Sequence, residues 1–444
     1  MLLIYYVVKD KYKNLVLLLG SIIFYSFTST RALLTVFICI FINYFFGVLI
    51  NNSKHYKKYI LFLGVLFNIL VLIYYKYTNF FISSFNDFSG QALTPLSLLI
   101  PLGLSYITFQ QISYIVDIYR DGDTTITFLD YSLYILFFPK IISGPITQFK
   151  DIKGDLKLRN YDDDSMNDGI YRFSIGLGKK IIIASTLQNV ADSIFVLDPN
   201  TLSLPIAWLG MITYTMQIYF DFSGYTDMAI GVAKMFCFNF PENFNKPYIS
   251  KSIGEFWRRW HITLSSFLRD YVYIPLGGSR CSKRRMLINT MIIFFLSGFW
   301  HGANFTFIVW GLYHGFFVAI EKLGFKKFLD KLPSLLSQGI TFIIIAIGWV
   351  FFRACDINYG LKYIKTLFNP FAINKAFDIS TLGLDNKFFL VLLISLLITL
   401  LPRIKLIKGN INIFTNKVFS LIILVYSISI VTTGSFMPFI YFKF

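Results

Sequence analysis

Apolar runs closed by basic or turn residues recur along the whole chain. They occupy 14–30, 32–51, 58–76, 96–117, 131–148, 170–190, 203–220, 222–240, 286–300, 303–320, 338–353, 387–402 and 415–434. An untilted membrane helix takes roughly 20 apolar residues, and several runs are shorter, so some are expected to be broken or re-entrant. The pattern predicts an all-α, polytopic membrane protein of about 10–12 transmembrane helices, with interfacial and re-entrant pieces. No soluble domain or internal repeat is evident, so residues 1–444 read as one integral membrane domain. The opening MLLIYYVV is apolar only as far as Val8. As helix it reaches about 12 Å, against a hydrocarbon core of about 30 Å. It reads as the tail of a longer helix, with the true start upstream or trimmed away.

Polar residues interrupt this pattern in five places. Segment 150–169, KDIKGDLKLRNYDDDSMNDG, reads as a loop. Its Asp162, Asp163 and Asp164 lack the glycine-punctuated spacing of a calcium loop, so a solvated loop is favoured over a metal site. In FFPKIISGPITQF, 137–149, Lys140, Gly144 and Pro145 break an apolar run. Irregular backbone at membrane depth must be buried in protein or line a wet cavity, so this is either a cavity wall or a loop at the membrane surface. In YFDFSGYTDMAIG, 219–231, Asp221, Ser223, Tyr225 and Asp227 surround a candidate hinge at Gly224. They either cap a half-helix or line a cavity.

The fourth place, SKSIGEFWRRWHITLSSFLRDYVYIPLGGSRCSKRR at 250–285, predicts a helix opened by a capping box of Ser252 and Glu255. At about 100° per residue, Phe256, Trp257, Trp260, Leu264, Phe267, Leu268 and Tyr271 fall within about 120°. Arg258, Arg259 and Arg269 lie opposite, with Thr263, Ser265, Ser266 and Asp270; Ile262 is a misfit and His261 sits on the border. Such a helix should lie in the membrane interface, and the Lys283, Arg284, Arg285 run that follows puts it on the cytoplasmic face. Its arginines suit lipid phosphates or the phosphates of a nucleotide-bearing donor.

The fifth place is SGFWHGAN, 297–304, inside a run from Met286 to Ile320 that contains no Lys, Arg, Asp or Glu. Both flanks are net basic. If both are cytoplasmic, the run is a hairpin bent near Gly302, with Gly298 and Gly302 permitting the bend. Fifteen residues from Met286 reach about 22 Å, short of the core thickness, so His301 would lie within the membrane. An ionisable residue there is a functional candidate, and Trp300 and Asn304 beside it are candidate cavity-lining residues. His314 reads as structural and His55 as a solvated loop residue.

Composition narrows the class. The chain is 55% hydrophobic and only 15% charged, with a mean hydropathy of +0.61; soluble domains carry about a quarter charged residues. The net charge of +17 comes from residues that punctuate apolar spans, which points to a lipid bilayer and not to nucleic acid. Cys39, Cys237, Cys281 and Cys355 have no framework spacing and read as free thiols. No H-x-x-x-H or H-E-x-x-H occurs, so no metal is expected.

The stretches FFPKIISGPI, DFSGYTDMAIGVAKMF, PENFNKPYISKSIGEFWRRWHITLSSFLRDYVYIPLGGSR and LSGFWHGANFTFIVWGLYHG together resemble the membrane-bound O-acyltransferase family. The resemblance covers nearly the whole chain, is most specific over 219–315, and is closest to the bacterial alginate and peptidoglycan O-acetyltransferases. It implies a ring of membrane helices around a central tunnel, with His261 and His301 as the catalytic pair. It further implies acetyl-CoA as cytoplasmic donor, no permanently bound cofactor, and an exported polysaccharide as acceptor. A separate extracytoplasmic acetyltransferase-like protein would complete the transfer, at the bacterial cell membrane. The family's members usually begin with an additional apolar stretch. The D-alanyl transferases of teichoic acids share PENFNKP and the FWxRWH pattern, whereas YIPLGGSR and GYTDMAIG resemble the acetyltransferases. A non-enzymatic polysaccharide exporter is the alternative outside enzymes, since broken helices with midplane polar groups also suit transporters. Mechanistically, His301 is expected to be the general base, with His261 orienting the donor or completing a relay.

Overall fold

The computed structural model describes residues 1–27, 29–122, 126–159, 163–372, 382–400 and 413–434. Their regular structure is all helical, with one isolated antiparallel bridge between Phe244 and Trp260. Two compact units form: residues 1–170 with 229–241, and residues 171–228 with 242–444.

The first unit holds α1 (Leu2–Val7), α2 (Asp10–Ser26), α3 (Thr30–Asn52), α4 (Lys57–Leu72), α5 (Thr78–Ser89), α6 (Leu104–Asp121), α7 (Phe128–Leu136) and α8 (Phe149–Lys157). Helices α4 and α5 run together through a wide turn, and their most apolar window is only 11% buried. An apolar surface left so bare suits lipid. Helices α3 and α4 are clasped by a buried amide pair, in which Asn43 Nδ2 donates to Asn68 Oδ1 at 3.1 Å and Asn68 Nδ2 donates back at 2.6 Å. A reciprocal bond of this kind satisfies polar groups that lipid would leave unpaired.

Two expectations are corrected here. Segment 150–169 is not a loop: α8 covers its first half, because Phe149, Ile152 and Leu156 share one buried face while the charges between them point outward. Asp163 and Asp164 open a further helix, and Asp162 lies outside the described residues. Segment 137–149 is not a surface loop either, since nearly all of it is buried in protein. Lys140 Nζ donates to Thr147 Oγ1 at 2.7 Å and lies 4.1 Å from the centre of the Tyr134 ring.

Helix α9 (Asp163–Gly178) leads into the second unit, which continues with α10 (Ser185–Phe195), α11 (Leu204–Met235), α12 (Ile253–Arg259), α13 (Ile262–Leu268), α14 (Lys283–His301), α15 (Phe305–Ile320), α16 (Lys326–Lys331), α17 (Ser334–Arg353), α18 (Ile357–Leu367), α19 (Asn386–Leu400) and α20 (Ile413–Thr432). Its core is aromatic, with Trp260, Trp310 and Trp349 buried together. The two spans expected at 203–220 and 222–240 are one 32-residue helix, α11. Asp221 does not break it, because the charge is neutralised laterally by a lysine rather than by freeing backbone.

Candidate active site

His301 is the last residue of α14, and α15 folds straight back along it. Opposed positions are crossed by glycines. A Cβ on Gly298 would overlap the carbonyl oxygen of Phe307, and one on Gly311 would overlap that of Phe294. Gly302 has an extended backbone (φ −164°), and a Cβ there would enter the Phe307 ring. These glycines therefore set how closely the two helices approach. That corrects the reading of Gly298 and Gly302 as residues that permit the bend. The bend itself is closed by Asn304, whose side chain accepts from Thr306 N at 3.0 Å to cap α15 and whose Nδ2 donates to Cys355 O at 3.2 Å. Helix α14 starts at Lys283, three residues before the apolar run, so its 19 residues extend about 28 Å. The added residues are the basic ones at its start, so His301 remains about 22 Å from Met286, and it is buried.

His261 is reached differently. The continuous helix expected across 253–271 does not form. The chain is helical to Arg259, breaks at Trp260 and His261, and resumes at Ile262. His261 takes a left-handed conformation (φ 44°, ψ 53°), which a non-glycine residue adopts only when its surroundings impose it. The imposing element is the strand-like segment 243–245. Asn245 N donates to Arg259 O at 2.9 Å and Ile262 N donates to Asn243 O at 3.0 Å, so the break leaves these backbone groups paired. The capping box is present: Ser252 Oγ accepts from Glu255 N at 3.1 Å, while Glu255 reaches back to Lys251 N at 2.9 Å. A second cap was invisible in the sequence. Glu321, just past α15, accepts from both Ile253 N and Gly254 N.

The tryptophan stripe faces protein, not lipid. Phe256 and Trp260 stack (5.5 Å), Trp260 meets Trp349 (4.8 Å) and Trp257 meets Phe294 (5.4 Å). The interfacial-helix reading therefore fails on its apolar side, because α15 and α17 supply an aromatic partner surface that a helical wheel does not reveal.

Both histidines converge. Their ring centroids lie 6.3 Å apart at 59°, both rings are buried, and no sequence periodicity links the two. Phe222 of α11 meets His261 edge-on at 4.8 Å, and Trp300 stands 6.1 Å from it. His301 is flanked by Trp310 at 5.1 Å and Phe352 at 5.3 Å. The wall is thus built from four helices, and Phe222, Trp310 and Phe352 are wall residues that sequence reasoning missed. His314 is buried near Trp257 (5.2 Å) and Trp310 (5.4 Å), away from a break.

A cavity of about 390 Å³ runs beside this pair along α14, from Thr290 to Ser297. Its lining includes Ser297, one helical turn before His301, and Ile262, which follows His261 in the chain, while neither histidine lines it. Arg258, Arg269 and Lys322 contribute the basic part of its lining. Arg269 is also paired with Asp270 at 2.8 Å. Arg259 is absent from the lining: it pairs with Glu255 and donates to Asn245 O, and so belongs to the belt around the break.

The polar group on α11 is mostly committed elsewhere. Asp221 forms a fully buried ion pair with Lys180, and Asp227 is bridged by Lys179 (2.6 Å) and Arg172 (2.9 Å). A wide turn at Lys179–Ala184 presents the adjacent lysines to acids six residues apart on α11. Gly224 is a crossing point rather than a hinge, since a Cβ on it would stand 2.8 Å from Gly176 O. Ser223 is buried, its hydroxyl without a hydrogen-bond partner among the described residues, and Tyr225 is half-buried. None of the four caps a half-helix, because α11 is unbroken. Among the described residues no group of three His, Cys, Asp or Glu is placed to hold a metal ion.

Two buried imidazoles thus meet at helix ends within a helical chain, near an apolar cavity with a basic rim. The chain belongs to the membrane-bound O-acyltransferase family, whose model matches residues 21–352, and it is accordingly a polytopic membrane acyltransferase. Among curated relatives, it is 42% identical to the probable alginate O-acetylase AlgI of Pseudomonas aeruginosa, over 82% of this chain and 72% of that protein. It is 38% identical to a peptidoglycan O-acetyltransferase of Helicobacter pylori, over 80% and 73% respectively. Similarity to a teichoic acid D-alanyltransferase of Bacillus subtilis is lower, 34% over 60% of this chain and 71% of the relative.

Proposed function

We propose that this protein is an O-acetyltransferase of the bacterial cell membrane. It moves an acetyl group from cytoplasmic acetyl-CoA toward an exported cell-surface polysaccharide, of the alginate or peptidoglycan kind. The observation that carries this reading is the buried His261–His301 pair, 6.3 Å between centroids, whose neighbours Ile262 and Ser297 line a basic-rimmed cavity. Arg258, Arg269 and Lys322 suit the phosphates of the donor, and the apolar cavity suits its pantetheine arm. Higher identity over more of the chain favours the acetyl donor over a D-alanyl carrier protein.

In this reading His301 is the general base. A hydroxyl oxygen attacks the thioester carbonyl carbon while the imidazole takes its proton. The tetrahedral intermediate collapses, the C–S bond breaks, and the proton passes to the departing thiolate. The aromatic wall of Trp300, Trp310 and Phe352 keeps water from the acyl group. His261 orients the reactants. An extracytoplasmic acetyltransferase-like protein then delivers the group to the polymer.

The test is turnover of labelled acetyl-CoA by the purified full-length protein with that partner and acceptor. Consumption of acetyl-CoA with label on the acceptor is expected, together with its loss in His301→Ala. Folded His301→Ala at near wild-type rate sinks the assignment. Polymer movement without donor consumption would instead identify an exporter, and turnover only with a D-alanyl carrier protein would identify the other branch.

A further inference from the structure

Asn243 lies in the segment that holds the helix break open, and its side-chain oxygen is the shared acceptor of a small buried cluster. Thr263 N donates to Asn243 Oδ1 at 3.2 Å and Thr263 Oγ1 lies 2.9 Å from it, while His261 Nδ1 stands 3.1 Å away. A backbone N–H can only donate, so the Thr263 amide fixes which way the Asn243 side chain is turned: the oxygen, not the NH2, faces the cluster. An oxygen cannot donate, so His261 must carry its proton on Nδ1 to make the bond. The neutral ring then has its lone pair on Nε2. That nitrogen is buried and has no hydrogen-bond partner among the described residues.

We infer that Asn243 is a positioning residue that locks His261 in the Nδ1–H tautomer, so that its Nε2 presents a hydrogen-bond acceptor to a substrate hydroxyl or thiol. This rests on the reading of His261 as an active-site residue and adds a direction to it. A ring locked this way accepts a proton or a hydrogen bond at the site; it does not donate to the thioester oxygen. A buried acceptor left unpaired is costly, and binding a proton donor there relieves that cost. The left-handed backbone at His261 is accounted for by the same element, since segment 243–245 both imposes the break and reads the ring. Of the ring neighbours Phe222, Trp300 and His301, only His301 titrates.

The experiment is 15N NMR of the imidazole-labelled, full-length protein in lipid nanodiscs at neutral pH. The chain has only four histidines, and the His261 signals are those lost in His261→Gln. Expected for the wild type is a protonated Nδ1 and a bare Nε2. Asn243→Asp keeps the acceptor oxygen and should keep that tautomer. Asn243→Leu removes it and should give a mixed or reversed tautomer, with kcat reduced on the order of 10²-fold and KM little changed. A protonated Nε2 in the wild type, or an unchanged tautomer in folded Asn243→Leu, overturns the inference. If Asn243→Leu does not fold, Asn243→Asp decides, since a reversed tautomer there also overturns it. The NMR needs no turnover: a locked tautomer in a protein that transfers no acetyl group upholds the role of Asn243 and counts against the functional reading instead.

Discussion

The two histidines occupy seats built by opposite means. His301 ends a regular helix, and its position follows from a hairpin whose glycines set the helix spacing and whose Asn304 closes the turn. His261 sits inside a break that the local sequence opposes: the capping box, the aromatic stripe and the arginines all favour one continuous helix. Its conformation is held by a segment some 18 residues earlier. One seat is local and inexpensive, while the other is strained, at about 1–3 kcal/mol for a left-handed non-glycine residue. Strain kept where nothing local requires it indicates that the ring, not the helix, is what the fold preserves.

Removing either ring should give the largest effect and tests whether the seats serve one reaction. His301→Ala and His261→Ala are each expected to lower kcat by about 10²–10⁴-fold, equivalent to about 3–5 kcal/mol. Groups acting as a unit are not additive, so the double variant should lose little more than the worse single one. Multiplying losses, measured by acetyl transfer from labelled acetyl-CoA, would separate the two histidines into independent roles.

The hairpin seat is broken most directly at Gly298. A leucine there drives its Cβ into the Phe307 carbonyl and its branch toward Gly311. Overpacking costs typically about 1–3 kcal/mol, and a clash with backbone should reach the top of that range. A lower thermal midpoint of the detergent-solubilised protein is expected, with loss of acetyl transfer. Gly339→Leu on α17, whose Cβ meets nothing within 4 Å, is the matched control and should change neither.

These two seats also explain what could be read from the sequence. The uncharged run 286–320 with basic flanks made the hairpin and the burial of His301 visible, because both follow from local length and charge. The break at His261 was not visible, since periodicity averages over a helix and what opposes continuity lies in Asn243 and Asn245, outside it. The tryptophan stripe was seen, but its partner was not: apolar residues look alike whether they meet lipid or the Trp310 and Trp349 wall. The same blindness split α11 in two at Asp221, whose charge is answered by Lys180, a residue 41 positions away. Family resemblance joined His261 to His301 where spacing offered no link.

The smallest effects probe how each seat is anchored. Asn304→Ala removes the cap of α15 and the bond to Cys355 O, so a loss of about 1 kcal/mol is expected, with a modest fall in rate. Ser252→Ala should cost less, near about 0.5 kcal/mol, the low end for a cap, because Glu321 still accepts from the next two amides of α12. The sharper measurement is the cycle of Ser252→Ala, Glu321→Gln and their combination, read by thermal unfolding. Two caps serving one helix end should be coupled, so that losing Ser252 costs more once Glu321 has been weakened. Strict additivity would mean that the two caps hold α12 independently of each other, each beside the burial of its Phe256 and Trp257.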